Sequence, residues 1–361
     1  MMHCNENFNA EQILRGAERM MIFMRSKIKR LYAAVTVFAL ILCVILPISA
    51  NERFLPGGMP FGVKLCCEGV LVVGVGEIET ENGMVSPAKN AGICVRDVIV
   101  GIDGKKVLSA QDVVDAVNGS GGSAISFEIK RGEEAITVEV APVIGSDNKP
   151  RTGLLVRDST AGIGTVTLID PVTGAFAGLG HGICDSDTGE LMPLKRGVVV
   201  DVTINGIVKG QSGVPGELKG YFSSGKIGSL IGNTECGVFG VFGRLPENID
   251  DDVIETAEYS EIIEGDAELI CTLDDSGRQR YKVNISDIDH SGRDVKNFVV
   301  NVTDERLLER TGGIVQGMSG SPIIQNGKLI GAVTHVMIGD PSRGYGIFIG
   351  NMLKRMPCLA A

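Results

Sequence analysis

The sequence contains no tryptophan, only 5% aromatic residues and only four histidines in 361 positions. It also lacks a Cys-x-x-Cys pair and any group of histidines and cysteines at the spacing of zinc ligands. These absences predict a protein that works without a metal or an organic cofactor. No basic segment interleaved with aromatic residues is present, so nucleic acid is not an expected ligand.

Glycine, in contrast, is abundant, with 49 residues among many short runs of valine and isoleucine. This composition favours a turn-rich β protein over a helical bundle, and the length predicts two compact domains with an additional segment. The net charge is −10, and ten acidic residues without any Lys or Arg lie between Glu247 and Glu268. We expect this acidic run to be a solvated surface segment.

A segment without charge covers residues 31–50 and directly follows four basic residues, Arg25, Lys27, Lys29 and Arg30. A basic flank before an apolar run is typical of a signal peptide or of a membrane anchor whose N-terminus is inside. The length of the run lies at the border between the two, and we favour an anchor that persists. The prediction is therefore a cytosolic tail (1–30), a signal-anchor or transmembrane segment (31–50) and an exported remainder. Most of the nine cysteines are expected to be buried free thiols.

Residues 60–144 alternate between predicted strands and two short helices. A serine cap opens the first helix at Ser86, and Ser109 caps the second helix, whose apolar stripe includes Val117. This order of elements resembles a PDZ domain of the kind found in bacterial proteases. The resemblance implies that an extended peptide adds to a strand edge beside the second helix, while a loop of backbone amides takes its terminal carboxylate.

The segment Pro60-Phe61-Gly62-Val63 is similar to that loop, because Gly62 allows close approach of another backbone. We therefore predict that Phe61, Gly62 and Val63 bind the end of a peptide. The peptide is either a C-terminus or an internal segment, and an internal segment of this same chain is one option. The alternative is that Phe61 belongs only to the core.

The most informative segment extends from Gly313 to Val336. Two glycines bracket Ser319, Pro322 follows, and an Asn-Gly turn separates two apolar runs. This pattern presents a serine nucleophile between two β-strands, with the N–H groups of Gly317 and Ser319 facing a developing oxyanion. The motif is similar to the Gly-x-Ser-Gly-x-Pro signature of chymotrypsin-like serine proteases, although ordinary turns also contain Gly-x-Ser-Gly.

A serine nucleophile needs a base to remove its proton. His181 ends an apolar strand between two glycines, a setting with little bulk that suits a cleft between two barrels, so we predict His181 as the general base. His335 lies on the hairpin that leaves Ser319 and is more typical of a structural position. His290 lies in a polar loop, and His3 is on the other side of the membrane.

For the carboxylate that orients the base we predict Asp304, which follows an apolar strand and lies fifteen residues before Ser319. The alternative for Asp304 is a helix N-cap. Asp185 and Asp187, close to His181 in the sequence, are the next candidates.

Five segments carry a wider resemblance: GVKL at Gly62, SPAKNAG at Ser86, RDSTAGIGTVTLIDP at Arg157, GLGHGICDSDTG around His181 and DERLLERTGGIVQGMSGSPIIQNG around Ser319. They closely resemble segments of the stage IV sporulation protein B (SpoIVB) peptidases of endospore-forming bacteria. The resemblance extends from about Pro56 to Met352. In that family an aspartate at the place of Asp304 is the proposed third member of the catalytic group.

The resemblance implies a serine endopeptidase that cleaves itself and a regulatory subunit of the stage IV sporulation F complex. That cleavage releases an intramembrane metalloprotease, which then activates the late mother-cell sigma factor. The resemblance also implies an anchored or secreted location in the space between the forespore and mother-cell membranes.

Many short predicted strands punctuated by glycine cover residues 153–361, which indicates a closed or sandwiched β architecture. We predict a mainly β fold, with a chymotrypsin-like double β-barrel peptidase domain at 153–361, preceded by the PDZ domain at 60–144 and the membrane segment. Two alternatives stay open. One is a catalytically silent exported PDZ scaffold, and the other is a hydrolase of non-peptide esters, against which the strand–serine–strand order argues.

Overall fold

The computed structural model describes residues 53–81, 83–246, 249, 253–291 and 295–357. The predicted cytosolic tail (1–30) and signal-anchor (31–50) lie outside these residues. Within the described ranges, no helix has the length and apolar character that a membrane crossing needs. The free thiols of Cys67 and Cys271 are buried, as predicted, whereas those of Cys94 and Cys184 are exposed.

Strands make up most of the described chain, and the helices are short. The strands are β1 (Arg53–Pro56), β2 (Pro60–Val75), β3 (Ile78–Thr80), β4 (Gly83–Val85), β5 (Val98–Ile102), β6 (Lys105–Lys106), β7 (Ile125–Arg131), β8 (Glu134–Val140), β9 (Val143–Ile144), β10 (Pro150–Arg151), β11 (Leu154–Ile169), β12 (Ala175–Gly178), β13 (Leu194–Val208), β14 (Glu217–Thr234), β15 (Gly237–Phe242), β16 (Ile254–Glu255), β17 (Gly265–Thr272), β18 (Arg278–Ser286), β19 (Phe298–Val302), β20 (Pro322–Gln325), β21 (Lys328–Met337) and β22 (Asp340–Phe348). The helices are α1 (Pro87–Asn90), α2 (Ala110–Gly119), α3 (Glu305–Thr311) and α4 (Ile349–Arg355), with a 3₁₀ turn at Tyr259–Glu261.

Six antiparallel strands form a closed ring, the first barrel, in the order β2, β13, β14, β15, β12 and β11. The ring closes because the first half of β2 pairs with β11 on one edge and with β13 on the other. Alternate side chains of β2 point inward, so Val63 and Leu65 are buried whereas Lys64 between them is exposed. Phe61, Phe176 and other large apolar side chains fill the interior.

A second closed barrel contains β17, β18, β19, β22, β21 and β20. Its interior includes Leu269, Phe298, Val300, Ile330 and Phe348, all buried. These strands cover the segments in which the sequence alternates or runs apolar, so the predicted mainly β architecture with a closed barrel is confirmed. The serine segment supplies β20 and β21 of this barrel.

A third unit is formed by the chain between the first half of β2 and the second half of β11. The second half of β2 pairs with β5, followed by β7 and β8, and α2 covers the sheet. The amide of Asp112 donates to the Ser109 hydroxyl, and the Asp112 carboxylate accepts from the Ser109 amide, which closes a capping box at the start of α2. Val113 and Val117 of α2 pack into the core of this unit, as the predicted helical stripe requires.

The prediction of a peptide-binding loop at Phe61, Gly62 and Val63 is wrong. These residues lie in the middle of the first barrel, where Gly62 pairs with Ile163 of β11 and with Val200 of β13, so both strand edges are occupied. Phe61 and Val63 are only 1% and 3% exposed. A barrel strand has the same alternation of apolar side chains as a peptide-binding strand, and the sequence pattern therefore did not separate the two.

The border between the third unit and the first barrel lies inside two strands. β11 pairs with residues 71–75 of β2 in the third unit and with residues 60–66 of β2 in the barrel. The third unit therefore begins after Cys67 rather than at Pro60. The first barrel contains residues that precede the third unit in the sequence and residues that follow it.

Candidate active site

The loop between α3 and β20, residues 312–321, is called the serine loop here because it carries Ser319. Strand β11 of the first barrel binds this loop by donating hydrogen bonds to the carbonyl groups of the loop. The Thr165 amide donates to the Ser319 carbonyl oxygen at 2.9 Å, and the Thr165 hydroxyl donates to the Gly317 carbonyl oxygen at 2.8 Å. The two barrels therefore meet at the residue that the sequence predicts as the nucleophile.

Two amide N–H groups of the serine loop are available for a ligand. Among the described residues, the N–H groups of Gly317 and Ser319 have no hydrogen-bond acceptor, whereas the N–H of Met318 between them donates to the Val315 carbonyl oxygen at 3.1 Å. Gly317 has a φ of 98°, a conformation that favours glycine. Two unpaired donors on one fixed loop form the kind of site that stabilises an oxyanion, at the two positions that the sequence predicts.

His181 lies just beyond the end of β12. The chain leaves this strand through Leu179 and Gly180, both with a φ of 66°, and this turn places the half-buried imidazole next to the second barrel. The Nδ1 atom of His181 lies 2.9 Å from the Gly182 carbonyl oxygen. Burial lowers the pKa of His181 below its usual value, and the contact with Gly182 offsets part of this effect.

His181 and Ser319 line the same cleft, which has a volume of about 490 Å³. In this structure the Ser319 hydroxyl donates to the Thr334 carbonyl oxygen at 2.5 Å, and no hydrogen bond joins it to His181. A rotation about the Cα–Cβ bond redirects a serine hydroxyl between staggered positions. Catalytic hydrogen bonds often form only when substrate is bound, so this arrangement is compatible with a resting serine–histidine pair.

His335 also lines this cleft, although its position in the sequence is more typical of a structural role. Its ring centroid lies 4.7 Å from that of His181, with the planes tilted by 35°. Burial lowers the pKa of His335, and the nearby His181 and Lys296 lower it further. Sequence position alone concealed this proximity, because His335 follows Ser319 on the same hairpin.

Asp304 is not where the prediction requires it. Its carboxylate caps α3 by accepting from the Arg306 amide and forms an ion pair with the Arg306 guanidinium at 2.9 Å. The Lys282 amide donates to the same carboxylate. No hydrogen bond joins Asp304 to His181, and the helix N-cap that the sequence left as the alternative is what the structure shows.

Asp185 and Asp187 do not contact His181 either. Both form ion pairs with Arg157 of β11, and the Asp185 carboxylate also accepts from the Thr188 hydroxyl. These bonds fix the loop that follows His181 against the first barrel. Within the described residues, no group of three or more His, Cys, Asp or Glu side chains is arranged to hold a metal ion.

Replacing Asp304 by alanine separates the capping role from a catalytic one. We expect the free energy of unfolding to fall by about 1–2 kcal/mol through loss of the cap, while kcat/KM stays within about threefold of the original value. Loss of a carboxylate that orients a catalytic histidine costs about 10⁴-fold in serine proteases. Urea unfolding and peptide hydrolysis, with the exposed neighbour Glu305→Ala as control, measure the two effects.

The same carboxylate has a predictable pH dependence. The hydrogen bond from Arg306, above all, lowers the pKa of Asp304 to about 2. A depressed carboxylate pKa stabilises the fold above the unfolded value and loses that contribution as the pH falls toward the folded value. The stability difference between Asp304→Ala and the original chain should therefore be constant above pH 5 and shrink between about pH 4 and 2.

Comparison with known proteins gives two family matches. The model of the SpoIVB peptidase S55 family matches residues 148–353, more than half of the chain, and the PDZ domain model matches residues 84–131. A comparison with curated proteins gives no match.

Three solved structures are similar over part of the chain. The PDZ domain of an SdrC-like protein from Listeria monocytogenes is 21% identical, covers 25% of this chain and 87% of that one, and has a TM-score of 0.20. The active form of the Rv3671c protease from M. tuberculosis is 15% identical, covers 56% and 76%, and has a TM-score of 0.29. Human heparin binding protein is 10% identical, covers 55% and 88%, and has a TM-score of 0.28.

These structural likenesses are too distant to carry an argument about this chain. The family matches are sufficient, because the peptidase model covers both His181 and Ser319 and the PDZ model covers the third unit from β4 to β7. The chain therefore belongs to the SpoIVB peptidase S55 family, and it is a serine endopeptidase that carries a PDZ domain.

Proposed function

We propose that Ser319 is the nucleophile and His181 the general base of this peptidase, in a cleft between two barrels of chymotrypsin-like arrangement. The observation that carries the assignment is one cleft that contains Ser319, His181 and the two unpaired N–H groups of Gly317 and Ser319. A nucleophile, a base and oxyanion donors are the parts that acyl transfer requires.

In the proposed mechanism the Ser319 hydroxyl rotates from Thr334 toward His181 and attacks the peptide carbonyl carbon. Nε2 of His181 takes the hydroxyl proton and later gives it to the leaving amine, while the N–H groups of Gly317 and Ser319 bind the oxyanion. Water then attacks the acyl-enzyme while His181 takes its proton, and His181 returns a proton to Ser319 as the acyl group leaves. General base action supplies about 10²–10⁴-fold, and each oxyanion donor about 10²–10³-fold.

The group that orients His181 in this proposal is the Gly182 carbonyl oxygen, not a carboxylate. When Nδ1 carries the proton and donates it to this oxygen, Nε2 is left as the acceptor that a general base needs. A neutral acceptor stabilises the imidazolium less than a carboxylate does, so this contact offsets only part of the pKa lowering by burial, and the resting base stays unprotonated.

The pH profile of kcat/KM tests whether His181 is a buried base without a carboxylate partner. Catalysis requires neutral His181, and burial lowers the pKa of this imidazole below its ordinary 6.5. The neutral form therefore persists to lower pH, and we expect the acid limb of the profile to have its midpoint below pH 6.5, with full activity above it. A midpoint at or above 6.5 contradicts the buried, carboxylate-free base.

We further propose the role that the family resemblance implies. The peptidase cleaves itself and a regulatory subunit of the stage IV sporulation F complex, in the space between the forespore and mother-cell membranes, and so starts the proteolytic activation of the late mother-cell sigma factor. The SpoIVB family membership supports this proposal. N-terminal sequencing of the exported product from cells with the original chain and with Ser319→Ala tests export, self-cleavage and their dependence on the serine.

Labelling with a fluorophosphonate probe tests the nucleophile directly, because only an activated serine reacts. We expect rapid labelling of Ser319 and its suppression in His181→Ala. Absence of labelling in the folded original chain favours the alternative of a catalytically silent PDZ scaffold.

A further inference from the structure

We propose that Asn233 of β14 is the positioning residue of the general base. Its side chain fixes the peptide group between Gly182 and Ile183, and the carbonyl oxygen of that peptide group is the partner of the His181 imidazole. The inference rests on the proposed role of His181 and deepens it. An asparagine without a hydrogen bond to the imidazole takes the orienting role for which the sequence predicts a carboxylate.

The Asn233 side chain makes three hydrogen bonds to the loop that follows His181. Its Oδ1 atom accepts from the Ile183 amide at 2.8 Å. Its Nδ2 atom donates to the carbonyl oxygens of Ile183 and Met192, each at 2.9 Å. The reverse orientation would set Nδ2 against an N–H group and Oδ1 against two carbonyl oxygens, so the partners determine which way round the side-chain amide lies.

The Ile183 N–H group belongs to the same peptide plane as the Gly182 carbonyl group. A trans peptide group is planar, and its N–H and C=O bonds point in opposite directions. Because Asn233 Oδ1 binds the N–H on one side, the carbonyl oxygen is directed to the other side, where Nδ1 of His181 lies 2.9 Å away. An N–H that donates also makes the oxygen of its own peptide group a stronger acceptor. The hydrogen bonds therefore form one chain from Asn233 through the peptide group to the imidazole.

The glycine at position 182 makes this restraint necessary. A Cβ atom there would overlap with the Leu191 side chain and lie 2.7 Å from the Thr234 carbonyl oxygen, so no larger residue fits. Glycine also has the widest range of backbone angles, and the peptide group that follows it can turn unless another group holds it. Among the described side chains, Asn233 alone accepts a hydrogen bond from the Ile183 amide. The direction of the orienting oxygen therefore depends on Asn233.

The two bonds from Nδ2 of Asn233 anchor the loop to the barrel. The Met192 amide donates to the Ile183 carbonyl oxygen at 2.9 Å, so these two residues close the base of the loop. Nδ2 bonds to both sides of this base, and Asn233 itself is paired with Val238 of β15 in the barrel wall. Nδ2 therefore contributes to stability, whereas Oδ1 sets the direction of the orienting oxygen.

Other side chains bind this loop without reaching the N–H of the same peptide group. Asp185, two residues beyond Ile183, forms an ion pair with Arg157. The Cys184 thiol approaches the Gly182 carbonyl oxygen only at 3.7 Å. Neither contact fixes the plane of the peptide group that faces the imidazole.

Nitrogen NMR of the imidazole gives a readout that a purely structural role does not move. The full chain has four histidines, so the His181 signals can be assigned by their absence from His181→Gln. A carbonyl partner at Nδ1 keeps the proton there. We therefore expect the Nδ1–H tautomer in the original chain at neutral pH and a mixture of tautomers in Asn233→Ala. An Nε2–H tautomer in the original chain overturns the inference, and this outcome does not depend on whether the variant folds.

Two substitutions of Asn233 separate positioning from stability. Asn233→Ala removes all three bonds, and we expect kcat to fall about 10–100-fold with KM within about twofold of the original value, as loss of an outer partner of a functional histidine does. Asn233→Asp keeps an oxygen at the place of Oδ1 and loses the Nδ2 donors. It should lose as much thermal stability as Asn233→Ala and yet keep kcat within about fivefold of the original. Equal losses of kcat in the two variants contradict the role of Oδ1.

Thr234→Ala is the matched control. Thr234 is the next residue of β14 and is also half-buried, and its hydroxyl donates to the Gly237 carbonyl oxygen at 3.3 Å and accepts from the Cys236 amide at 3.2 Å. Neither bond reaches the loop after His181. We expect Thr234→Ala to keep kcat within about twofold and to keep the ring signals of the original chain. A loss of kcat as large as that of Asn233→Ala overturns a specific role for Asn233.

The acid limb of the pH profile separates positioning from a general loosening of the cleft. The contact with Gly182 raises the pKa of His181 against the larger effect of burial, so its loss in Asn233→Ala lowers this pKa further. We expect the acid limb to move to lower pH even though kcat falls. The other titratable side chains that line the cleft are unchanged by the substitution: His335, Cys184 and Asp185. A shift toward the ordinary 6.5 means that water reaches the imidazole, and it overturns the inference.

The outcomes distinguish this inference from the proposed base. In a His181→Ala background, Asn233→Ala should lower the residual rate by less than about twofold, because its effect passes through the imidazole, and a further fall of about tenfold overturns the inference. If His181→Ala is inactive while Asn233→Ala keeps the original kcat and ring signals, the base stands and the positioning role fails. If His181→Ala remains fully active, the base is wrong and the tautomer decides: a change in Asn233→Ala supports the chain of hydrogen bonds, and unchanged signals overturn it.

Discussion

Replacement of Ser319 by alanine is expected to abolish peptide hydrolysis and to leave the fold unchanged. The serine hydroxyl makes one hydrogen bond, to the Thr334 carbonyl oxygen, and the side chain is only half-buried, so its loss creates no cavity. Removal of a nucleophile lowers kcat on the order of 10⁴–10⁶-fold. Single-turnover hydrolysis and thermal unfolding of the purified variant measure the two parts of this prediction.

Ser321 provides the matched control. It lies two residues away in the same loop, is fully buried, and its hydroxyl has no hydrogen-bond partner among the described residues. Removing an unsatisfied buried hydroxyl costs little, so Ser321→Ala should retain kcat within about twofold. Hydrolysis that survives in Ser319→Ala but fails in Ser321→Ala would remove Ser319 from the mechanism.

Replacement of Gly320 by alanine should have the second largest effect, through backbone geometry rather than chemistry. A Cβ atom at Gly320 would lie 2.0 Å from the Thr165 carbonyl oxygen and 2.4 Å from the Leu179 nitrogen, both of them main-chain atoms. The Thr167 hydroxyl also holds the Gly320 carbonyl oxygen at 2.7 Å. The serine loop must therefore move away from β11, and its N–H groups lose their position.

We expect Gly320→Ala to lower the free energy of unfolding by about 2–4 kcal/mol and kcat by about 10²–10³-fold, as loss of an oxyanion donor does. Gly327→Ala is the control, because Gly327 also has a left-handed φ, of 78°, but no atom lies within 4 Å of its added Cβ. That variant should lose only about 1 kcal/mol and keep its activity. Equal behaviour of the two variants in urea unfolding and hydrolysis contradicts the close contact with β11.

Local sequence patterns were sufficient to predict the strands, helices and turns whose surroundings are the same along their whole length. The apolar run of β19, the Ser109 cap of α2 and the Asn-Gly turn after β20 each specify their own structure, and each lies where the sequence predicts it. β14 was not predicted, because its many glycines and serines remove the apolar alternation that marks a strand. Over its 18 residues β14 pairs with β13 along residues 217–230 and with β15 along residues 228–234, so neighbouring strands supply the regularity that its own side chains lack.

The sequence was sufficient to predict the reactive residues of the site, but not the groups that form hydrogen bonds with them. Glycines around Ser319 and His181 are visible in the sequence because tight turns require them. The partner of Nδ1 is a main-chain carbonyl, which every residue has and no sequence motif marks. Asp304 has the spacing expected of an orienting carboxylate, but it directly precedes the first residue of α3, a position at which aspartate is also a preferred cap, and its ion pair with Arg306 completes the cap.

The two strands that cross from the PDZ unit into the first barrel decide how this protein can be dissected. Simple excision of the PDZ residues would leave two loose strand ends in the barrel wall and unfold the peptidase, so its loss of activity would say nothing about regulation. Cys66 and Ser159 are paired across these strands, and a two-residue Asn-Gly turn placed between them rebuilds the wall as a hairpin. A minimal peptidase can be engineered at that rung of the ladder.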